Sequence, residues 1–193
     1  MKKKILDPQN LALIVICIST NLTIGFIIAS VKLPFYLDSI GTVLATAVGG
    51  LYIGILTGIL SVIIGSLYTP TLWAYTLTAI TIAVYTNVVK KIGFLTSLIP
   101  TILLGLGLGV VCAIVSAPIT TYLWSGVSLS GADAITAFFN ALGKNLLDSV
   151  IFGGLSTDPI DKTVTSIVCY EIIRRFPLKS LFQHKLEINN KLR

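Results

Sequence analysis

Long apolar runs, separated by short polar punctuation, fill this chain from residue 11 to residue 176, and no intervening stretch is polar enough or long enough for a water-soluble domain. A bilayer span needs about 20 predominantly apolar residues. The runs therefore predict spans over 11–31, 72–89, 93–117 and 161–177. The run 39–66 is too long for one upright helix. Gly49-Gly50 lies near its middle and divides it into two short helices, 38–49 and 51–66. Lys32-Leu33-Pro34-Phe35-Tyr36-Leu37-Asp38 links the first two helices, Tyr68-Thr69-Pro70 makes a turn and Lys90-Lys91 a loop. The predicted fold is an all-α integral membrane protein: six transmembrane helices in one domain, 1–193, with an external re-entrant or amphipathic segment at 131–152.

Composition agrees with this pattern. Hydrophobic residues make up 54% of the chain and charged residues 11%, against about a quarter charged in soluble domains. Lipid is then the solvent, and every backbone polar group must be satisfied within the protein. Met1 to Lys4 carry the positive charge of a signal peptide. The apolar run behind them is span-length and ends without a clean cleavage site, so it reads as a retained first helix.

Charge placement selects the topology. With the N-terminus in the cytoplasm and the helix break at Gly49-Gly50, Lys90-Lys91, Arg174-Arg175 and the basic tail all fall inside, as the positive-inside rule prefers. Without the break, Lys90-Lys91 move outside and residues 132–155 must become a full span. The preferred topology puts both termini in the cytoplasm and places Asp38, Asp133, Asp148, Asp158 and Asp161 on the outer side.

Several functions are disfavoured. The net charge of +6 sits at the chain ends and in one loop, a topological pattern and not a nucleic-acid footprint. No Gly-rich phosphate-cradling loop with its Lys and Ser/Thr occurs. Cys17, Cys112 and Cys169 lie in apolar runs without paired spacing, and His184 is the only histidine, so neither a metal site nor a cofactor is expected. No acid pair, histidine cluster or Ser/Lys dyad at membrane depth suggests an enzyme.

The least ordinary segment is 131–149. On one continuous helix, Asp133, Ala137, Asn140, Lys144 and Asp148 form an i, i+4 ladder along a single face. Opposite charges one turn apart are costly in lipid and must meet water, protein or ligand. The face is either a substrate-contacting wall, with Asn140, Lys144 and Asp148 as contacts, or the solvated side of an interfacial helix. Tyr36, Tyr68, Trp73, Tyr75, Tyr122 and Trp124 sit near the outer ends, as an interfacial belt or as stacking partners for a flat ligand. Asp38 and Lys32 flank Tyr36, making Tyr36, Asp38, Tyr68 and Trp73 the second candidate group. Gly54, Gly58, Ser61 and Gly65, like Gly105 and Gly109, are small residues at spacings that let helices approach closely. They serve packing within the chain or docking of a partner helix. Asp158-Pro159-Ile160-Asp161-Lys162 reads as the opening of the last helix, with Pro159 in its first turn and the acids complementing its dipole. Asp161 can also pair with Lys162 or Lys144.

Three stretches together resemble the substrate-binding S component of energy-coupling factor (ECF) transporters. One runs from Leu37-Asp38-Ser39-Ile40-Gly41-Thr42 to Gly49-Gly50-Leu51-Tyr52-Ile53-Gly54-Ile55-Leu56-Thr57-Gly58, similar to that family's second and third helices around a Gly-Pro-aromatic-x-Gly junction. The others are Asp161-Lys162, like the Asp-Lys opening of its last helix, and the ending Arg174-Arg175-Phe176-Pro177. The chain departs from the pattern at Gly50, where proline is common, and in its first helix. There Ala12, Cys17 and Asn21 stand in for an Ala-x-x-x-Ala face used against the scaffold subunit. The resemblance implies six helices in a prokaryotic plasma membrane and a vitamin-like micronutrient bound near the outer face. It also implies partners: a scaffold transmembrane subunit, docked through residues such as Ala12, Gly54 and Gly58, and two ATPase subunits.

The leading expectation is thus a non-enzymatic binding subunit of an importer for a small water-soluble nutrient, vitamin or nucleobase-like. The alternative is a stand-alone secondary transporter or channel. Against it, no charged residue is expected deep in a span and no inverted repeat is visible.

Overall fold

The computed structural model describes residues 7–128 and 130–176. Lys2-Lys3-Lys4, Pro177, His184 and the basic tail lie outside the described residues. All regular structure among the described residues is helical: α1 (Pro8–Ser30), α2 (Ile40–Gly49), α3 (Leu51–Gly65), α4 (Thr76–Val89), α5 (Leu98–Trp124), α6 (Asp133–Ala141) and α7 (Leu146–Arg175). Short 3-10 turns, Pro70–Tyr75 and Lys90–Ile92, flank α4. Three segments are long and apolar enough to cross a membrane: Pro8–Ser30, Pro70–Ile92 and Leu98–Trp124.

The long run does break at Gly49-Gly50. Gly50 adopts φ 95°, a left-handed conformation open to glycine without a Cβ penalty. Its N–H closes α2 on the Thr46 carbonyl and its own carbonyl accepts from Gly54 to open α3. One residue thus ends one helix and starts the next.

Three expectations differ, the first being α5, which runs over Leu98–Trp124 and not 93–117. The last helix starts at Leu146, not near residue 161, because Asn145 caps it by accepting from the Asp148 N–H at 2.8 Å. Asp158-Pro159-Ile160-Asp161-Lys162 is therefore helix interior and caps nothing. The 131–149 segment is not one helix. α6 ends at Ala141, Gly143 takes φ 85°, and α7 begins three residues later. The ladder is cut: Asp133 and Asn140 belong to α6, Lys144 to the turn, and Asp148 to α7.

Small residues set the packing. A Cβ on Gly41 would strike the Cys17 backbone, one on Gly54 the Thr46 side chain, and one on Gly109 the backbone of Asp158 and Pro159. These contacts bring α1 to α2, α2 to α3 and α5 to α7 at near-backbone distance. Gly54 and Gly58 are buried, Gly58 facing Ala79 of α4 and Thr42 of α2. Both pack inside the chain. Ala12 alone of that expected group is exposed.

Polarity runs opposite to that of a water-soluble domain. Leu11, Val15, Ile16, Phe26 and Ile27 of α1 and Ile99, Leu103, Val110 and Ile114 of α5 face outward. Thr46, Thr57, Thr101, Asn21 and Asp161 face inward. The interior hydroxyls of Thr46, Thr57 and Thr101 donate to carbonyls four residues back, at 2.7–2.8 Å. This satisfies them without water and suits a membrane-embedded protein.

Gly109→Ala should separate α5 from α7, since the added methyl meets backbone that cannot rotate away. Overpacking of this kind costs about 1–3 kcal/mol. Thermal unfolding in detergent, followed by a thiol-reactive dye on the buried Cys17, Cys112 and Cys169, should show an earlier transition. An unchanged midpoint would mean that α5 and α7 do not pack this closely.

Candidate functional site

A helix places residues i, i+3 and i+4 on one face, so Asp158, Asp161 and Lys162 share a side of α7. Because Gly109 packs α5 against Pro159, that side turns inward. Asp158 and Lys162 are 6% and 4% exposed and Asp161 is fully buried.

Asp161 is a joint. Its Oδ1 accepts the backbone N–H groups of Tyr36 (2.9 Å) and Leu37 (2.8 Å), and its Oδ2 pairs with the Lys162 ammonium at 2.5 Å. Leu37 has φ 47°, an uncommon conformation for a branched residue that these bonds hold in place. Lys162 also donates to Ser39 Oγ at 3.0 Å, stands 3.8 Å from Asp38 Oδ1, and lies 5.9 Å from the centre of the Tyr36 ring. The α1–α2 connection is thus bolted to the middle of α7.

A second connection folds over the same end. Asp133 at the start of α6 accepts from the N–H and hydroxyl of Ser128, at 2.8 and 2.6 Å, and from the Ser130 N–H at 3.2 Å. Ser130 donates to the Tyr36 hydroxyl at 3.3 Å. Gly131 fits against the Lys32 and Leu33 carbonyls where no side chain would. The Tyr75 hydroxyl pairs with Thr120 Oγ1 at 2.8 Å, closing α4's entry against α5.

Beneath these connections is a cavity of about 210 Å³ as measured by water-sized centres. About 10–15 Å³ on that measure admits one water, so there is room for a small organic molecule. Its walls come from α1, α2, α3, α4, α5 and α7. Phe35, Tyr36, Tyr68 and Tyr75 supply aromatic surface, and Asp38, Asp158 and Lys162 supply charge. Asn21, Thr42 and Ser61 form a buried polar knot in the wall. Asn21 Nδ2 donates to Thr42 Oγ1 and Ser61 Oγ, both at 3.0 Å, while its Oδ1 accepts the Gly41 N–H at 2.7 Å. Both N–H groups and the oxygen of that amide are engaged, across three helices.

Enclosure pushes the Asp38 carboxyl above its usual range, partly offset by the Lys162 charge. Even so, 44% of the Asp38 side chain is exposed. Tyr36 is raised well above an ordinary phenol, by burial first and by the Asp158 charge second, so it stays a neutral hydroxyl.

Of the residues expected from the sequence, Tyr36, Asp38 and Tyr68 line the cavity. Trp73 does not. It is exposed and packs edge-on against Trp124, 6.3 Å between ring centres. Asn140 is exposed on α6, Lys144 lies 5.2 Å from the Phe152 ring, and Asp148 engages Asn145, all three away from the cavity. Asp158 and Lys162, read from the sequence mainly as a helix opening, are instead the cavity's charged wall. Their i, i+4 spacing was the available signal, together with the amide of Asn21 inside an apolar run.

The arrangement can bind a small polar molecule beside aromatic rings, with charge on one side and hydroxyls on the other. The described residues contain no group of three His, Cys, Asp or Glu side chains able to hold a metal ion. Comparison with family models, with characterised proteins and with solved structures finds no match to this chain, so the functional argument rests on the cavity itself.

Proposed function

We propose that this protein is the membrane-embedded substrate-binding subunit of an ECF-type importer for a small water-soluble micronutrient. The observation that carries the reading is the cavity between the helices. It is walled by six helices, roofed by the two connections tied through Asp161 and Asp133, and lined by aromatic and charged side chains. A binding subunit needs such a chamber and nothing else of its own. In this reading α1, α2, α3, α4, α5 and α7 are six crossings in a prokaryotic plasma membrane with both termini cytoplasmic. A scaffold subunit and two ATPases complete the importer, and no covalent chemistry is performed. The gathering of Phe35, Tyr36, Tyr68, Thr69, Ser128 and Ser130 around the cavity, with Lys90 reaching Thr46 at 3.4 Å, supports a topology that puts these three connections on one side.

One observation favours the second reading. Asp158, Asp161 and Lys162 lie mid-helix in α7, contrary to the expectation that no charge sits deep in a span, and intramembrane charges serve ion-coupled transport. Reconstitution separates the two. The purified chain in liposomes should bind its co-purified molecule without accumulating it, and accumulation should require the scaffold and ATPases. Concentrative uptake by the chain alone would establish the secondary transporter. Cysteines at Lys91 and Val127 should label from inside and outside respectively; outside labelling at residue 91 would refute the topology.

A further inference from the structure

We infer that the cavity selects a small organic cation: a ring-bearing molecule whose positively charged nitrogen sits against Asp158, with Asp38 as the second acid. This rests on the nutrient-site reading and adds the charge class of the ligand.

The charge inventory is unbalanced. Asp38, Asp158 and Asp161 surround one cation, Lys162, a formal charge of 1 − 3 = −2 if all are ionised. Lys162 is committed. It pairs with Asp161 and donates to Ser39, and its 3.8 Å approach to Asp38 is beyond hydrogen-bond length. One of its three donors is left over, but its charge is already outnumbered by the acids around it. Asp161 has both oxygens engaged, by Lys162 and by two backbone N–H groups.

Asp158 is different. It is 94% buried, lines the cavity, and makes no ion pair among the described residues. Its one contact is Thr157 Oγ1 at 3.4 Å, and that hydroxyl, with a single proton, lies closer to the Gly153 carbonyl at 3.1 Å. A buried carboxylate whose donor is this long and shared is costly. Thr78 Oγ1, on another wall of the same cavity, is also buried without a partner. A protonated amine or cationic heterocycle would give Asp158 the charged donor it lacks among the described residues. Tyr36, Tyr68 and Tyr75 offer the ring faces that attract cations.

Three single-ring probes of similar size test this on the full chain in nanodiscs: benzylamine (cation), benzyl alcohol (neutral) and benzoate (anion). Benzylamine should bind tightest and benzoate weakest. Asp158→Asn, similar in shape, should weaken benzylamine about tenfold or more while leaving benzyl alcohol within about twofold. Asp148→Asn, remote from the cavity, should change neither. Benzoate binding tighter than benzylamine, or benzylamine unaffected by Asp158→Asn, overturns the inference. If Asp158→Asn does not fold, the order of the three probes on the unaltered protein decides. A neutral or anionic preference would leave the nutrient-site reading standing. If no probe binds and no small molecule co-purifies, both fall.

Discussion

Replacing Asp161 with alanine should be the most damaging single change among the polar residues. The substitution removes two hydrogen bonds to the backbone of Tyr36 and Leu37. It also strips Lys162, 4% exposed, of its closest counter-charge. Breaking a buried pair from one side costs about 3–5 kcal/mol, because the remaining charge stays desolvated. The Tyr36–Asp38 connection loses the anchor for Leu37's strained backbone and should move off the cavity. A thiol-dye melt should show a large drop in midpoint, together with loss of the co-purified small molecule. The double variant Asp161→Ala/Lys162→Met should recover part of the stability and none of the binding, since it removes the orphaned charge without restoring the anchor. Equal destabilisation of single and double variants would show that the lost backbone anchor, and not the orphaned ammonium, dominates. Full stability of Asp161→Ala would show that neither matters.

Asn21→Leu should be the second. The leucine is similar in volume and apolar, so cavity formation is minor and the change isolates the polar knot. Three hydrogen bonds go: those to Thr42, Ser61 and the Gly41 N–H. Interhelical side-chain bonds in membranes average about 0.6 kcal/mol and reach about 1.7. An unpaired buried backbone N–H adds about 1–3 kcal/mol. The expected total is roughly 2–4 kcal/mol, read as an earlier melt. Asn21→Asp should be milder, because the remaining carboxylate oxygen still accepts from Gly41. If Asn21→Leu melts like the unaltered protein, α1, α2 and α3 are held by packing alone.

The helical class of this chain was legible in its sequence, because apolar run length and backbone satisfaction leave little else for such a composition. The break at Gly49-Gly50 was legible too, since an over-long run with paired glycines has an obvious place to turn. The importance of the Tyr36–Asp38 connection could be suspected from an aromatic and a carboxylate set between apolar runs. Periodicity failed at 131–149. It assumes a continuous helix, and a helical wheel drawn through Gly143 aligns residues that the turn separates. Asn145, able to cap α7, was the local signal that the ladder concealed.

Asp158-Pro159-Ile160-Asp161-Lys162 failed for a related reason. Proline and acids suit a helix start by local preference, yet Pro159 is tolerated in the interior of α7, where Gly109 of α5 fits closely against its backbone. Only packing at that point decides which way Asp158, Asp161 and Lys162 face. Likewise, glycine spacing announced close helix contacts without naming their partners, and Gly54 and Gly58 proved to serve α2 and α4. The sequence alone determined that this protein would put apolar surface outside and hydroxyls within. Which carboxylate anchors a loop and which stands unpaired in a cavity was decided by tertiary structure, since donors more than a hundred residues away in the chain make the difference.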